Sequence, residues 1–477
     1  YHMENNMLEK FKSPYNPNAT EKRIYQLWQD SGFFNPDICI QKGIISPEAK
    51  PYTIMMPPPN VTGVLHMGHA MMVTLQDIMI RYKRMRGYKA LWIPGTDHAA
   101  IATQSKVEGI IYKEEKKRRH DLGREELLKR VEKFAEESHD TIVNQVRKMG
   151  ASVDWSREAF TLDKKRELAV YTAFKKMYDD KIIYRGHRIV NWDPKGQTTI
   201  SDDEIVYIEE KSKFYYFKYG PFIIGTARPE TKFGDKHVVM HPDDKRYADY
   251  KHGQAIDLEW INGPIEATII KDSSVDMEFG TGVMTITPWH SMVDFEIALR
   301  HNLDKEQIID THGILLPIAG EFEGLHIKEA REKIVAKLQS KGLVTKIEDN
   351  YVHQIATAER SGEIIEPQIM RQWFILVNKE FERNGKRLTL KSLMQNAVSD
   401  SGVTILPERF HKIYFHWIDN LRDWCISRQI WFGHRIPVWY KGDETRVADR
   451  APGKGWEQDP DTLDTWFSSG TWTFSTS

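Results

Sequence analysis

The feature that most constrains the fold is a short apolar run at 52–56 that ends in three consecutive prolines. Proline lacks the amide hydrogen that a sheet requires, so the run predicts a buried strand that stops where the prolines begin. A helical pattern follows over 68–86, and a second apolar run at 90–93 predicts another buried strand. The order strand, loop, helix and strand predicts a βαβ unit with a parallel sheet and a right-handed crossover.

The remainder of the chain changes texture twice. Apolar residues at three- and four-residue spacing predict a long amphipathic helix over 124–149, and a helix capped by Thr20 is expected to end at Gly32. Short β-like runs separated by Gly, Pro and Asp predict a separate β-rich domain. The expected divisions are a tag and N-terminal arm at 1–20, an α/β segment at 21–206, the β-rich insertion at 207–351 and a return to α/β at 352–477.

Composition excludes several classes of protein. The 477 residues include 67 Lys and Arg against 68 Asp and Glu, and this balance excludes a globally basic nucleic-acid binder while allowing a local basic face. The longest apolar runs are far shorter than the ~20 residues of a membrane helix, and the first residues lack the apolar core of a signal peptide. Two cysteines, Cys39 and Cys425, cannot form a disulfide scaffold or a cysteine-only zinc site. We expect a cytoplasmic protein without a membrane association.

The loop after the first predicted strand reads PPPNVTGVLHMGH over 57–69. Ligands of open α/β sheets bind beyond the carboxyl ends of the strands, where a helix N-terminus offers amide hydrogens to a phosphate. Gly68 leaves room for a nucleotide, and His66 and His69 can donate hydrogen bonds to phosphate oxygens. An isolated His-x-x-His pair would be better interpreted as a metal pair or as surface histidines, but the strand, prolines and helix around it favour nucleotide binding.

A carboxylate follows the second predicted strand, in the string GTDHA at 95–99. Asp97 is therefore expected at the same sheet edge as His66, where it could hold a substrate ammonium group by a charge-assisted hydrogen bond. The alternative is that Asp97 caps the following helix. Alone, the residue does not distinguish these two interpretations.

These strings resemble those of a known family. The HMGH at 66–69 is similar to the first signature of class I aminoacyl-tRNA synthetases, and PPPNVTG and GTDHA are similar to strings of valyl-tRNA synthetases in particular. The resemblance extends from about residue 8 to residue 477. Further matching strings are NWDP at 191–194, RSG at 360–362, DWCISRQ at 423–429 and LDTWFSS at 463–469.

The resemblance implies a Rossmann-type catalytic domain that activates valine with ATP and Mg²⁺ and transfers it to tRNA(Val). By position, His66 and His69 would bind ATP together with Gly68 and stabilise the phosphoryl transition state. The implied amino-acid-binding residues are Pro58, Asn60, Asp97 and Trp466, with Asp97 on the ammonium group. For Trp466 the alternative is a structural position in the core. A monomer is expected.

A pocket shaped for valine cannot strongly reject threonine, which has nearly the same shape, so a second, hydrolytic site is expected. The β-rich insertion resembles the editing domain of the family, with GTARPET at 225–231 as its marker. By resemblance, Asp294 would bind the ammonium group of the wrong amino acid. The residues implied to hold the mischarged terminus and a water are Thr226, Arg228, Glu230 and Thr231, and turn or cap chemistry is the alternative for each.

The chain also departs from the family pattern. It has Thr285 where the family commonly has a lysine, Ser291 where it commonly has an aspartate and Ala100 where it usually has a glycine. We expect editing to be retained but reshaped. Asp193 and Gly196 stand where some relatives have a zinc-binding Cys-x-x-Cys pair, so no structural zinc is expected.

The second class I signature, a Lys-Met-Ser-Lys-Ser loop, does not occur in the 477 residues. The resemblance therefore predicts the N-terminal portion of a synthetase, without the anticodon-binding domain and with weak or absent ATP activation on its own. The alternative is a non-catalytic fragment that binds tRNA. A small-molecule nucleotidyltransferase is disfavoured, because such an enzyme has no mischarged product to remove.

Overall fold

The computed structural model describes residues 14–476, so most of the expected tag and arm lies outside the described residues. Short 3₁₀ turns lie at Trp155–Arg157, Asp202–Glu204, Pro229–Gly234, Lys245–Tyr247 and Pro317–Phe322. The helices are α1 (Pro17–Ser31), α2 (Pro36–Gln41), α3 (Met67–Met85), α4 (Ala100–Glu115), α5 (Arg119–Leu122), α6 (Arg124–Lys148), α7 (Lys164–Asp179), α8 (Met292–Arg300), α9 (Ile327–Ser340), α10 (Leu390–Ser399), α11 (Phe410–Asp419), α12 (Thr465–Gly470) and α13 (Trp472–Ser475).

The strands are short in the N-terminal part and longer in the middle of the chain. They are β1 (Pro51–Met55), β2 (Lys89–Ile93), β3 (Gly95–Thr96), β4 (Ala159–Phe160), β5 (Ile183–Asp193), β6 (Thr198–Ile200), β7 (Ile205–Tyr219), β8 (Phe222–Thr226), β9 (His237–Met240), β10 (Ala255–Trp260), β11 (Gly263–Lys271), β12 (Val283–Thr285), β13 (Val344–Ala358), β14 (Glu366–Ile375), β15 (Phe381–Arg383), β16 (Lys386–Leu388), β17 (Trp424–Cys425), β18 (Ser427–Arg428), β19 (Val438–Lys441), β20 (Glu444–Val447), β21 (Glu457–Gln458) and β22 (Thr462–Leu463).

The chain divides into two compact units. Of the described residues, the first contains 14–177 and 430–476, and the second contains 178–429. Both parallel and antiparallel strand pairs occur, which confirms the predicted α/β class with a β-rich insertion. The predicted boundaries at 206/207 and 351/352 stay predictions. Among residues 14–476, no helix combines the length and the apolar character required to cross a membrane.

The βαβ unit forms the start of the first unit. Strands β1 and β2 pair in parallel with Pro51 opposite Lys89 and Met55 opposite Ile93, and α3 connects them. The expectation that the first strand is buried was wrong, because alternate residues of β1 are exposed. Within the described residues β1 pairs only with β2, so its other edge has no strand to cover it.

Helix α6 forms a large part of the core of the first unit. Its buried residues, which include Leu127, Val131 and Ile142, pack in one apolar cluster with Trp92 of β2. This confirms the predicted amphipathic helix. Helix α1 begins earlier than predicted because Asn16, and not Thr20, accepts the capping hydrogen bond ahead of a proline in the first turn.

The second unit contains the β-rich region. Strands β7, β8 and β13 form one sheet and β9 to β12 form another, in the order β10-β11-β9-β12. Both sheets contribute to one apolar core that includes Phe217, Tyr219, Trp260 and Ile269. The short β-like runs predicted from the sequence are 215–217, 222–224, 238–240, 267–270 and 283–286. All lie on these strands, except that β12 ends at Thr285 and does not include Ile286.

Candidate active site

The loops that follow β1 and β2 lie side by side at the carboxyl ends of these strands. The Asp97 amide donates to the Pro59 carbonyl, and the Asp97 carbonyl accepts from the Val61 amide, both at 2.8 Å. Asn60 and Asp97 form a parallel bridge, so strand-like pairing resumes beyond the prolines. Pro58 is half-buried and Asn60 is exposed beside this bridge. The structure therefore brings three of the predicted site residues together.

The Asp97 carboxylate is held by donors from several directions. Its Oδ1 accepts from the Ala99 amide at 2.9 Å and from the Thr161 hydroxyl at 3.1 Å, and its Oδ2 accepts from the Ser469 hydroxyl at 3.0 Å. Burial raises the pKa of Asp97, but hydrogen bonds from His98, Ala99 and Ser469 outweigh it, so the pKa lies below its ordinary value. Asp97 is thus a buried, ionised carboxylate, and the capping interpretation explains only its bond to Ala99.

Thr161 connects this carboxylate to two buried histidines. Its hydroxyl oxygen lies 2.6 Å from His98 Nδ1, and its carbonyl lies 2.8 Å from His434 Nε2. Burial lowers the pKa of His434 to about 3, so its ring is neutral at physiological pH. Sequence reasoning missed Thr161 and His434, because both are distant from Asp97 in the chain and neither stands in a recognisable motif.

His66 and His69 form the start of α3. The His66 Nδ1 accepts from the Gly68 amide at 3.1 Å, and the His66 amide donates to His69 Nδ1 at 3.3 Å. The ring centroids are 4.0 Å apart. Burial lowers the pKa of His69, and the neighbouring His66 adds to this effect. Because each Nδ1 accepts a hydrogen bond, a neutral ring carries its proton on Nε2, where it can be donated to a ligand.

The structure gives a second reason for glycine at position 68. A Cβ atom there would lie 2.9 Å from His66 Cε1 and 3.1 Å from His66 Nδ1. Any larger residue would displace the His66 imidazole from its hydrogen bond with the Gly68 amide. Gly68 thus fixes the orientation of His66, in addition to the expected room for a nucleotide.

Trp466 is not a core tryptophan, because 58% of its surface is exposed. It lies in α12, whose start is capped by Asp464 Oδ1 through the Trp466 amide at 2.9 Å. Ser469 of the same short helix donates to Asp97. The predicted pocket residue therefore lies three positions from a side chain that contacts the predicted ammonium-binding carboxylate.

The departure at Ala100 is accommodated by a glycine on the facing segment. Ala100 is fully buried, and a Cβ placed on Gly433 would lie 3.3 Å from its methyl group. Gly433 has a φ of 141°, which also favours glycine. The extra methyl group of Ala100 is therefore packed against backbone within the core.

In the second unit, the 225–231 turn carries a network of charged groups. Arg228 donates from Nη2 to Glu366 Oε2 at 2.6 Å and from Nε to Glu230 Oε1 at 3.2 Å. Arg331 donates to both oxygens of Glu230, at 2.8 and 3.0 Å. Glu230 is fully buried and both its oxygens accept from arginines, an arrangement in which it orients Arg228. Its predicted contact with a bound terminus or water stays a prediction.

The threonines of the turn and Asp294 lie on one hydrogen-bonded path. Thr226 Oγ1 accepts from the Arg228 amide and Thr231 Oγ1 donates to the Arg228 carbonyl, both at 2.9 Å. Asp294 Oδ2 accepts from the Thr287 amide at 2.8 Å, and the Thr287 hydroxyl oxygen lies 3.4 Å from the Thr231 carbonyl oxygen. The structure therefore joins Asp294 to the turn through Thr287, a residue that sequence reasoning did not single out.

The departure at Ser291 preserves a local role. Ser291 caps α8, and its Oγ accepts from the Asp294 amide at 3.4 Å. Serine and aspartate are both good N-caps, so the helix start that carries Asp294 is retained. Burial raises the pKa of Asp294, opposed mainly by the bond from the Thr287 amide.

His290, close to Thr287 and Ser291 in the chain, is held by backbone amides and a carboxylate. His290 Nε2 accepts from the amides of Ile308 and Ile309, each at 3.1 Å, and its Nδ1 lies 3.1 Å from Glu366 Oε1. Within residues 14–476, no three His, Cys, Asp or Glu side chains are grouped so that they could hold a metal ion. Asp193 Oδ1 accepts from the Gly196 amide at 2.9 Å, which closes the turn at the positions of the absent cysteine pair.

The amino-acid sequence that builds these sites matches a known protein family. Residues 23–454 match the family described as tRNA synthetases class I (I, L, M and V). The chain belongs to the class I tRNA synthetases. The match includes both loops beside Asp97 and the 225–231 turn, and it confirms the family resemblance of these motifs.

Curated relatives in this synthetase family are similar over nearly the whole chain. The valine–tRNA ligase of Clostridium acetobutylicum is 43% identical over 98% of the chain and 52% of its own length. That of Bacillus subtilis is 44% identical over 97% of the chain and 51% of its own length. The chain spans about half the length of the curated relatives it matches.

A solved structure was also found. A chain of the ternary complex of Agrobacterium radiobacter K84 agnB2 LeuRS with tRNA and LeuAMS has a TM-score of 0.46 and 16% identity, over 97% of this chain and 60% of that one.

Proposed function

We propose that this chain belongs to a valine–tRNA ligase that activates valine with ATP and Mg²⁺ and transfers it to tRNA(Val). The observation that carries the proposal is the pairing of the two loops, which puts the buried, ionised Asp97 carboxylate beside Asn60 at the sheet edge from which the chain enters α3. The similarity to valine–tRNA ligases at 43% identity supports the choice of amino acid. We further propose that the protein acts as a cytoplasmic monomer.

In this proposal Asp97 binds the ammonium group of valine. An ionised carboxylate forms stronger hydrogen bonds to a cation than a neutral group does, and the depressed pKa of Asp97 keeps it charged at physiological pH. The donors from Ala99, Thr161 and Ser469 fix its orientation before the substrate arrives. Preorganisation of this kind reduces the entropy lost on binding. Pro58, Asn60 and Trp466 would limit the space for the side chain.

The two histidines act on the phosphates. Valine activation joins the amino-acid carboxylate to the α-phosphate of ATP and releases pyrophosphate, so negative charge grows on the phosphate oxygens. The Nε2 hydrogens of His66 and His69 are available to stabilise that charge, because their Nδ1 atoms accept backbone hydrogen bonds. The amides at the start of α3 add the positive end of a helix dipole.

We propose that the second unit hydrolyses Thr-tRNA(Val). Arg228 and the threonines of the 225–231 turn would hold the mischarged terminus and a water, and Asp294 would hold the ammonium group of threonine. The path from Asp294 through Thr287 to the Thr231 carbonyl supports this grouping. Because Asp294 is buried and has a raised pKa, it is also expected to bind its cation more weakly as the pH falls.

Three assays on the same preparation test the proposal: pyrophosphate exchange with valine, affinity for tRNA(Val) and hydrolysis of Thr-tRNA(Val). Because the 477 residues lack the second signature, we expect weak or absent exchange, measurable affinity for tRNA(Val) and hydrolysis above the rate in buffer. Exchange at the rate of a full-length ligase would contradict the first expectation. Affinity for tRNA without hydrolysis or adenylate binding would favour the non-catalytic alternative.

Binding of a valyl-sulfamoyl adenosine tests the activation site without turnover. Asp97→Asn removes the negative charge with little change of shape, and we expect the affinity for this analogue to fall on the order of 10²-fold, as calorimetry would measure. The matched control is Asp443→Asn, an exposed carboxylate of the same unit. Equal affinity of the Asp97 variant and the control would reject the role of Asp97.

A further inference from the structure

A buried ammonium group lies directly after the 225–231 turn. Lys232 is only 7% exposed, although lysine is rarely buried unless it is paired. Its Nζ lies 3.3 Å from Asp235 Oδ2 and 3.3 Å from Thr285 Oγ1. The proposed mechanism does not use this cation. A lysine in a turn is ordinarily exposed to solvent, so the burial of Lys232 requires an explanation.

The ion pair continues into the predicted hydrolytic residues. Asp235 Oδ1 accepts from the Thr287 hydroxyl at 3.2 Å, and the Thr287 amide donates to Asp294 Oδ2 at 2.8 Å. A continuous path of polar contacts, called the polar chain below, thus runs from the turn to the start of α8 through Lys232, Asp235, Thr287 and Asp294. A change at Lys232 can reach Asp294 through three contacts, by way of Asp235 and Thr287.

Lys232 also contacts the residue at position 285. This chain has an uncharged residue there, Thr285, which is 5% exposed. The Lys232 amino group reaches the Thr285 hydroxyl from the neighbouring turn. A positive charge is therefore present beside residue 285 although residue 285 does not carry it.

We propose that Lys232 is a positioning residue of the hydrolytic site, which holds the polar chain in place and supplies the cation that position 285 lacks. The inference rests on the proposed hydrolysis of Thr-tRNA(Val). Lys232 acts through Asp235 and Thr287 on Asp294, and it takes no part in the bond that breaks.

The charge state of Asp235 follows from its surroundings. Burial raises the pKa of Asp235 to about 6, and the Lys232 ammonium and the hydroxyls of Thr285 and Thr287 oppose the rise. The other titratable groups that face it are Tyr219, whose hydroxyl donates to the Asp235 carbonyl at 2.6 Å, and Asp294, which Lys232 also attracts. Without the ammonium group, Asp235 would take up a proton at a higher pH.

The test compares initial rates of Thr-tRNA(Val) hydrolysis, with the full 477-residue chain, over about pH 5 to about pH 8. The variants are Lys232→Met, the milder Lys232→Gln and the double variant Lys232→Met with Thr285→Lys, which moves the cation to position 285. The matched control is Lys236→Met, which removes an exposed lysine paired with Glu306. Near-ultraviolet circular dichroism checks that each variant folds.

We expect Lys232→Met and Lys232→Gln to lower the rate on the order of 10²-fold at neutral pH and to move the acid limb of the pH profile upward. The double variant is expected to recover at least about a tenth of the wild-type rate, and the control to match the wild type. If both single variants fold and keep the wild-type rate and profile, the role of Lys232 is overturned while editing stands. If the wild-type rate equals that in buffer, the proposed hydrolysis fails and the inference fails with it.

Discussion

Two buried aspartates, one in each unit, have pKa values displaced in opposite directions. Asp97 is held by two hydroxyls, a backbone amide and the His98 ring, and its pKa lies below the ordinary value. Asp235 has one ammonium group and neighbouring hydroxyls, and its pKa is raised to about 6. Burial disfavours the charged form of both, so the difference lies in the donors that each carboxylate receives.

Burial alone therefore does not determine the charge of a buried carboxylate. The first unit builds its carboxylate to stay ionised throughout the physiological range. In the second unit, burial raises the pKa of Asp235 to about 6, against the opposing effects of Lys232 and the hydroxyls of Thr285 and Thr287. The two carboxylates are therefore expected to respond differently to acid.

The largest expected effect comes from removing the Asp97 side chain. Asp97→Ala leaves the donors of Thr161, Ser469 and Ala99 without their acceptor in a buried place, and we expect the free energy of unfolding of the first unit to fall by about 4 kcal/mol. Urea unfolding followed by tryptophan fluorescence measures the change. A loss below about 1 kcal/mol would mean that the carboxylate is not bonded as described.

The next effect separates the two aspartates by pH. Because the folded pKa of Asp235 is above its ordinary value, its contribution to stability is present at low pH and is lost as the pH rises through about 6. Asp97 has the opposite sign, and its contribution is lost as the pH falls. Asp235→Asn should therefore gain roughly 3 kcal/mol relative to wild type between about pH 4 and about pH 7. Parallel stability curves for the two proteins would contradict the raised pKa.

A smaller effect is expected from a single donor. Ser469→Ala removes one of the hydrogen bonds to Asp97 and should cost about 1 kcal/mol of unfolding free energy. The pKa of Asp97 should rise as well, which carboxyl-carbon NMR can follow in acid. Ser401→Ala, at an exposed turn of the second unit, provides the control.

The smallest effect on stability is expected at Gly68. Gly68→Ala places a methyl group 2.9 Å from His66 Cε1, while alanine favours the helix, so the unfolding free energy should change by less than about 1 kcal/mol. The imidazole of His66 should nevertheless move, and ring nitrogen NMR would show a changed tautomer population. An unchanged His66 spectrum would reject the role given to Gly68.

Strands β1 and β2, the short runs of the β-rich region and the long helix α6 were predictable from the sequence, because they depend on local periodicity and on prolines. The 57–69 and 95–99 strings also predicted loops at the carboxyl ends of neighbouring strands, and the Asn60–Asp97 bridge confirms that these loops lie side by side. The partners of Asp97 were not predictable: Thr161 and Ser469 are distant in the chain, and only the tertiary fold brings them to the carboxylate. The exposed edge of β1 was missed for the same reason, since an apolar run does not tell which neighbours cover it.

The contact of Lys232 in the second unit was not predictable from the sequence either. The sequence showed that position 285 lacks a lysine, and it predicted an altered pocket. It could not show that a lysine 53 residues earlier reaches the Thr285 hydroxyl, because that contact depends on how the 3₁₀ turn lies against β12. Motif comparison locates a departure, and packing determines whether another residue compensates for it.

The most direct test of two separate sites, one at Asp97 and one at Asp294, is to assay a variant of each residue for both activities. Asp97→Asn and Asp294→Asn are each assayed for binding of valyl-sulfamoyl adenosine and for hydrolysis of Thr-tRNA(Val), with Asp257→Asn, an exposed carboxylate of β10, as the control. We expect Asp97→Asn to lose only the binding of the adenosine analogue and Asp294→Asn to lose only hydrolysis. Loss of both activities in either folded variant, or of neither in both, would contradict two separate sites.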